Sequence, residues 1–246
     1  MKPIVLIPAR MASTRLPGKP LADVGGVPMI VRVWRQAAAA KCGPVVVAAA
    51  EKEIASAVEA AGGRAVLTPP DLPSGSDRVH VALNAVDRGF EHDIVINLQG
   101  DLPLVDPAAL RAALDALVAT GADIGTVAAE IDDDKEADNP NLTKVVASWD
   151  VGRTRGRAHY FSRARIPWGK GPLFAHAGIY AFKREALGRF VQLQPSPLEL
   201  REKLEQLRAL EAGMSIAVGR IDALPLSVDT PADLDKARAA AARERP

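Results

Sequence analysis

The chain has 246 residues, 48% hydrophobic and 25% charged, with a formal net charge of +1. This is enough apolar material for a substantial core and excludes a disordered or fibrous chain, while the near-neutral balance gives no field to favour nucleic acid or a membrane surface, so small-molecule partners are expected. One cysteine, Cys42, cannot form an internal disulfide and reads as a buried structural thiol; no apolar run resembles a signal peptide or a membrane span, so a cytoplasmic protein without membrane insertion is expected.

From the N-terminus, the apolar run 4–7 predicts a strand that ends in a loop, and Pro28 opens a helix with Ile30, Val33, Trp34 and Ala37 at helical spacing. Gly43-Pro44 stops that helix. Residues 45–49 predict a second strand, and Ile54, Ala57, Val58 and Ala61 a second helix closed by Gly62-Gly63. A short strand at 65–67, a helix with Val79, Ala82, Leu83 and Val86, and a strand at 94–98 continue the alternation. Asp106-Pro107 supplies an N-cap and a first-turn proline ahead of Leu110, Ala113, Leu114 and Leu117. Such alternation predicts a parallel, doubly wound sheet. Beyond Ile124 the runs shorten, to 126–131, 145–149 and 179–182, and antiparallel pairing in a smaller lobe is expected, within one domain spanning 1–246. Two later helix starts carry matched signals, Ser196-Pro197 with Glu199 and Thr230-Pro231 with Asp233.

Open parallel sheets bind ligands beyond the carboxyl ends of their strands. The loop 8–21, after the first strand, holds Arg10, Ser13, Arg15, Gly18 and Lys19 and no acid. Backbone N–H groups with Arg and Lys donors suit the many oxygens of a triphosphate, although three cations suit a solvated basic loop equally well. A P-loop is excluded, since it needs glycine at 13 and Ser or Thr at 20, where this chain has Ser13 and Pro20; no G-x-G-x-x-G follows the strand, which weakens a dehydrogenase reading. Gln99-Gly100-Asp101 sets a carboxylate at a strand end, suited to Mg²⁺ or simply to a turn. Asp229, after the run 224–228, completes a two-carboxylate metal site if it returns beside Asp101. Ser74-Gly75-Ser76-Asp77-Arg78 opens a helix at which a phosphate or base could rest, or is an ordinary capped start. His176, beside the apolar Ala177-Gly178-Ile179, reads on its own as a core residue.

These pieces fall into one order: Ile7-Pro8-Ala9-Arg10 through Arg15-Leu16-Pro17-Gly18-Lys19-Pro20-Leu21, Ser74-Gly75 with Arg78, Gln99-Gly100-Asp101, and Asn139-Pro140-Asn141. Tyr160-Phe161-Ser162-Arg163 with Ile166-Pro167-Trp168, His176 with Gly178-Ile179-Tyr180, Gln194-Pro195-Ser196-Pro197-Leu198-Glu199, Glu205-Gln206-Leu207-Arg208 and Val228-Asp229-Thr230-Pro231 continue it. In this the chain resembles, over nearly its whole length, the 3-deoxy-manno-octulosonate (Kdo) cytidylyltransferase family. The resemblance implies an α/β fold: a three-layer sandwich around a mostly parallel mixed sheet, Rossmann-like, with a smaller antiparallel lobe around 125–195 for sugar binding and homodimer formation. It implies transfer of CMP from CTP to the anomeric hydroxyl of Kdo, releasing pyrophosphate and serving lipopolysaccharide synthesis. By the same resemblance Arg10, Ser13, Arg15 and Lys19 cradle the triphosphate, with Ser74, Arg78 and Gln99 near the nucleotide. Asp101 and Asp229 hold Mg²⁺ and share the catalytic role with Lys19, while Arg163, His176, Tyr180, Glu205 and Gln206 meet the sugar acid.

Three features depart from the family pattern. Val47-Ala48-Ala49-Ala50 stands in place of Val-Ala-Thr-Asp, with no acid before Glu51; Leu102 stands where many members have glutamate; and the connection 169–175 is short. The lost aspartate alters activity, is offset by Glu51, or reflects an engineered or divergent sequence. The alternatives to Kdo are a related acid, 8-amino-Kdo or a sialic acid, and a weakly active nucleotide-binding homologue.

Overall fold

Short runs rich in Val, Ile and Ala become parallel strands in the computed structural model, which describes residues 1–243. They are β1 (Pro3–Ala9), β2 (Val45–Ala49), β3 (Arg64–Leu67) and β4 (Ile94–Leu98). Helices α1 (Met29–Ala39), α2 (Lys52–Ala60) and α3 (Gly75–Val86) connect them. The order is β3-β2-β1-β4, with every neighbour parallel. The chain steps outward from β1 to β3 and then returns past β1 to β4. Right-handed crossovers therefore put α1 and α2, which pack together, on one face and α3 on the other. The reversal leaves the carboxyl ends of β1 and β4 side by side, which is where doubly wound sheets take their ligands.

The chain divides into two units, Met1–Leu110 together with the segment from Pro225 onward, and Arg111–Leu224. The stretch 125–195, read from sequence as a sub-lobe, lies inside the second. Between β4 and the second unit's first strand runs α4 (Pro107–Thr120), whose Ala108 N–H donates to the Asp106 carboxylate at 2.7 Å, the expected cap.

The second unit contains β5 (Ile124–Glu130), α5 (Asp134–Ala137), β6 (Lys144–Trp149), β7 (Arg155–Ser162) and β8 (Phe174–Lys183). α6 (Arg184–Gln192), α7 (Pro197–Glu202), α8 (Gln206–Glu211) and β9 (Ile216–Ile221) follow. Its strands run β8-β5-β9-β7-β6, antiparallel except for β5 with β9. A bridge from Lys144 to Ala175 joins β6 back to β8 and closes the ring. Cβ atoms added at Gly125 and Gly219 would stand 2.2 Å from Ala113 O and 2.6 Å from Ala112 O, so these glycines let the α4 backbone rest directly on the strands.

The return segment 224–228 is not a ladder strand, but its Val228 N–H donates to Asp101 O at 2.9 Å. It leads into α9 (Pro231–Arg243), capped as the sequence predicts: Asp233 N donates to Thr230 Oγ1 and the Asp233 carboxylate accepts from Thr230 N. Leu234, Ala237 and Ala241 of α9 bury against Val24, Met29 and Val228, with Leu16 and Ala22 packed alongside. The end of the chain thus braces the loop 8–21 from beneath. Among the described residues no helix is long and apolar enough to cross a membrane.

Candidate active site

The site begins with two glycines. Gly18 takes a left-handed φ of 70° and starts the short 3-10 turn Lys19–Leu21, aiming Lys19 back toward the sheet. At Gly100 a Cβ would stand 2.8 Å from Pro8 O, so only glycine lets the loop after β4 lie against the end of β1. The outcome is a concavity of about 370 Å³ lined by Arg10, Ser13, Arg15, Lys19, Ser74, Arg78, Gln99 and Asp101. Residues marked separately in the sequence are gathered in one place.

Its most ordered feature is a cation held between two acids. Lys19 Nζ lies 2.9 Å from Asp101 Oδ2 and 3.1 Å from Asp229 Oδ1, and Arg15 approaches Asp229 at 3.4 Å. Asp229 arrives there because Val228 is tied to the Asp101 carbonyl. Burial pulls the Lys19 ammonium toward neutrality, but Asp101 and Asp229 together outweigh it and hold its pKa above the ordinary lysine value. Two carboxylates converging on one cation are a hard-oxygen donor pair of the kind that holds Mg²⁺ with substrate phosphates. Among the described residues there is no group of three or more acids, histidines or cysteines placed to hold a metal ion together.

Several neighbours are already engaged within the protein. The Ser74 hydroxyl caps α3, accepting from Asp77 N at 3.2 Å and donating to the Asp77 carboxylate at 2.7 Å, which is the ordinary capped start. Arg78, almost fully buried, donates to Thr68 Oγ1, Pro69 O and Pro70 O at 2.6, 2.8 and 3.1 Å, so it struts the loop behind the concavity. Burial and the nearby Arg10 guanidinium lower its pKa, opposed by Glu51 and Asp71. Ser13 Oγ accepts from Leu16 N at 3.3 Å, and Gln99 Nε2 donates to Asn97 Oδ1 at 3.1 Å. Glu51 was noted in the sequence only as an acid near the missing aspartate. Its carboxylate accepts the Met11 N–H at 2.9 Å and so pins the basic loop, across 40 residues of sequence.

The sugar-side candidates all lie in the second unit. His176 is half-buried, edge-on to Phe161 at 4.9 Å and 5.5 Å from the Tyr180 ring. Burial pushes its pKa down to about 3, so it is neutral at physiological pH. Its Nε2 is 2.9 Å from Thr126 Oγ1, and that hydroxyl directs its single proton to Ile179 O at 2.8 Å or Ala177 O at 3.4 Å. With the Thr126 proton on Ile179 O, the nearer carbonyl, Nε2 donates to Thr126 and Nδ1 is left as an acceptor. Two-bond ¹H–¹⁵N correlations should show the Nε2–H tautomer in the wild type and a mixture in Thr126→Val; an Nδ1–H ring in the wild type would contradict this geometry. Burial, with Glu205 adding its charge, raises the Tyr180 phenol pKa. Glu205 and the buried Gln206 sit at the start of α8.

Arg163 is more constrained than a free guanidinium. Nε donates to Glu202 O at 2.9 Å, Nη1 to Pro140 O at 3.1 Å and Nη2 to Lys203 O at 3.4 Å, so three of its five donors hold the chain. Glu202, unmarked in the sequence, accepts from Ser162 Oγ at 2.8 Å and Arg163 N at 2.9 Å. Thr126 and Glu202 support the sugar-side candidates His176 and Arg163, and no sequence signal reveals them, because each acts on a partner distant in the chain.

The α7 start is the full capping box of Ser196 and Glu199, and Arg208 Nε reaches the same Glu199 carboxylate at 2.8 Å. Burial alone would raise the Glu199 pKa, but the Arg208 and Ser196 donors outweigh it and depress the carboxyl. The stability it contributes is present above the ordinary glutamate pKa and is lost as pH falls through the depressed one. Glu199→Gln should cost about 2 kcal/mol at neutral pH in denaturant unfolding and nothing extra in acid.

With this geometry in view, the chain was compared with known proteins. Residues 4–216 match a family model described as cytidylyltransferase. The 3-deoxy-manno-octulosonate cytidylyltransferase of Parvibaculum lavamentivorans is 65% identical over 98% of this chain and 93% of its own. That of Methylobacterium radiotolerans is 60% identical over 96% of each. A solved CMP:2-keto-3-deoxy-manno-octonic acid synthetase complexed with CTP superposes with a TM-score of 0.91 at 39% identity, covering 100% of both chains. The chain belongs to the cytidylyltransferase family, among the 3-deoxy-manno-octulosonate cytidylyltransferases.

Proposed function

We propose that the protein transfers CMP from CTP to the anomeric hydroxyl of Kdo, forming CMP-Kdo and releasing pyrophosphate. The observation that carries this reading is the Asp101–Lys19–Asp229 cluster at a basic concavity beyond the strand ends, in a chain of this family. Arg10, Ser13, Arg15 and Lys19 receive the triphosphate, with Gln99 and the amino end of α3 beside the nucleotide. Arg78 acts there from behind, since its donors hold the loop 68–70. In the second unit, Arg163, Tyr180, Glu205, Gln206 and neutral His176 receive the sugar acid. A bare Nδ1 accepts a hydrogen bond from a sugar hydroxyl and repels a carboxylate, which is left to the remaining Arg163 donors.

The anomeric hydroxyl oxygen attacks the α-phosphorus in line, its proton passes to solvent, and the electron pair of the breaking P–O bond leaves with pyrophosphate. The protein orients the reactants and neutralises charge: Lys19, fixed by two carboxylates, presents a positive charge that need not be reorganised during reaction. Asp101 and Asp229 would hold Mg²⁺, which when bound with phosphate oxygens supplies charge neutralisation and lowers the pKa of the attacking hydroxyl. The reading also carries a cytoplasmic location, a role in lipopolysaccharide synthesis, and a homodimer for which fully exposed Trp168 offers apolar surface.

The test is substrate choice. With CTP and Mg²⁺, kcat/KM should be highest for Kdo and lower for 8-amino-Kdo and sialic acid; equal or better use of either alternative reassigns the sugar. Glu51 supplies a second test, because it replaces a missing acid by holding Met11 N. Glu51→Ala should raise KM for CTP roughly tenfold, the loss of about one charge-assisted hydrogen bond, with KM for Kdo unchanged.

A further inference from the structure

Lys144 is a fully buried cation that the proposed chemistry leaves unused. Its ammonium donates to Asn139 O at 2.9 Å, Leu142 O at 2.6 Å and Arg163 O at 2.6 Å. An ammonium has three N–H groups, so each is engaged and none is left for a ligand. Among the described residues no carboxylate lies within ion-pair distance of it. Its direct partners are carbonyl dipoles, the manner in which proteins hold a dehydrated monovalent cation, with Asp138 and Glu202 adding attraction from further away and Arg163 repulsion. Such burial is costly, and it is met here by three carbonyls that an apolar side chain of similar volume would leave unpaired. The charge therefore points to what it gathers.

It gathers the junction of three strands. Lys144 opens β6, its backbone bridges Ala175 of β8, and the adjacent His176 N–H donates to Thr143 O at 2.8 Å. The Arg163 carbonyl directly follows β7, and the Arg163 guanidinium reaches back to Pro140 O, between the two loop carbonyls that Lys144 grips. One buried ammonium thus ties the residue that carries a guanidinium to the strand that carries an imidazole.

We infer that Lys144 is a positioning residue for sugar-acid recognition, an internal cation that fixes Arg163 and His176 relative to one another without touching the ligand. This rests on the proposed reading that those two residues meet the sugar acid. Lys144→Ala leaves three convergent carbonyls around an empty space, whereas Lys144→Met fills that space without charge.

Both variants are to be measured as full chains, with circular dichroism and thermal melting to establish folding. KM for Kdo should rise about tenfold or more in each, the effect of a small misplacement, while KM for CTP stays at the wild-type value. Ammonium, methylamine or potassium should restore KM for Kdo in Lys144→Ala but not in Lys144→Met, and should leave the wild type unaffected. A folded variant with wild-type KM for Kdo overturns the inference. So do equal changes in both KM values without rescue, or failure of both variants to fold with and without ammonium, since each assigns Lys144 to stability alone. If the wild type does not use Kdo, the functional reading fails by itself. The positioning claim is then decided by the His176 ring signals, which must move in Lys144→Ala and return with ammonium; unmoved signals overturn it.

Discussion

Asp101→Asn should lower kcat with CTP and Kdo by at least about 10²–10³-fold, the loss expected when a carboxylate that would hold the charge-neutralising metal is removed. The fold should survive. Asp101 takes part in the framework through its backbone carbonyl, which the substitution leaves on Val228 N, and its side chain is partly solvated, so stability should change by under about 1–2 kcal/mol. The Mg²⁺ concentration at half-maximal rate should rise, because an amide is a weaker ligand than a carboxylate. Asp229→Asn should behave alike, and the double variant should be little worse than either single one, since groups that act as a unit do not add. Near-normal kcat in Asp101→Asn would remove the carboxylates from the mechanism.

Lys19→Met should produce a loss of similar size with the opposite metal signature. In the folded chain Lys19 occupies both carboxylates, at 2.9 and 3.1 Å, and so competes with any cation for the same oxygens. Its removal should lower the Mg²⁺ requirement while kcat/KM for CTP falls by about 10²-fold or more, because the fixed positive charge is gone. Lys19→Arg should recover little, since a planar fork does not reproduce a compact charge seated between two acids. Titrating Mg²⁺ in parallel with Asp101→Asn distinguishes the roles: half-saturation moving the same way in both variants would contradict the placement of Lys19.

The first unit was legible because each strand is a continuous apolar run and each turn carries its own punctuation. Gly43-Pro44, Gly62-Gly63 and the Ser74 cap divide the chain where the elements divide. The second unit was less so. β7 contains Arg155, Arg157 and His159 on an exposed face, so it lacks an apolar run; its pattern alternates, and its partners supply the burial. The apolar run 179–182 marks only the later part of β8, which begins at Phe174, because Ala175, His176 and Gly178 dilute the apolar signal. β9 pairs in parallel with β5 across about 90 residues, a contact that no local periodicity encodes.

The candidate site divides in the same way. Loop 8–21 and Gln99-Gly100-Asp101 announced themselves by composition at strand ends. The meeting of Asp101 with Asp229 did not, because it depends on a backbone bond from Val228 that side-chain identity cannot report. Ser74 and Arg78 line the concavity where their residue types place them, and their side chains also cap a helix and brace a loop, which residue type does not report. Glu51 holds the basic loop through a backbone N–H that any residue except proline at position 11 would offer, so residue type there gives no signal of the contact.

The most direct measurement of the proposed reaction is ³¹P NMR of the protein incubated with CTP, Mg²⁺ and Kdo. CMP-Kdo phosphodiester and pyrophosphate should appear together in equal amounts, only when Kdo is present and not in Asp101→Asn. CDP with inorganic phosphate, or CTP consumption independent of Kdo, would contradict transfer of CMP to the sugar acid.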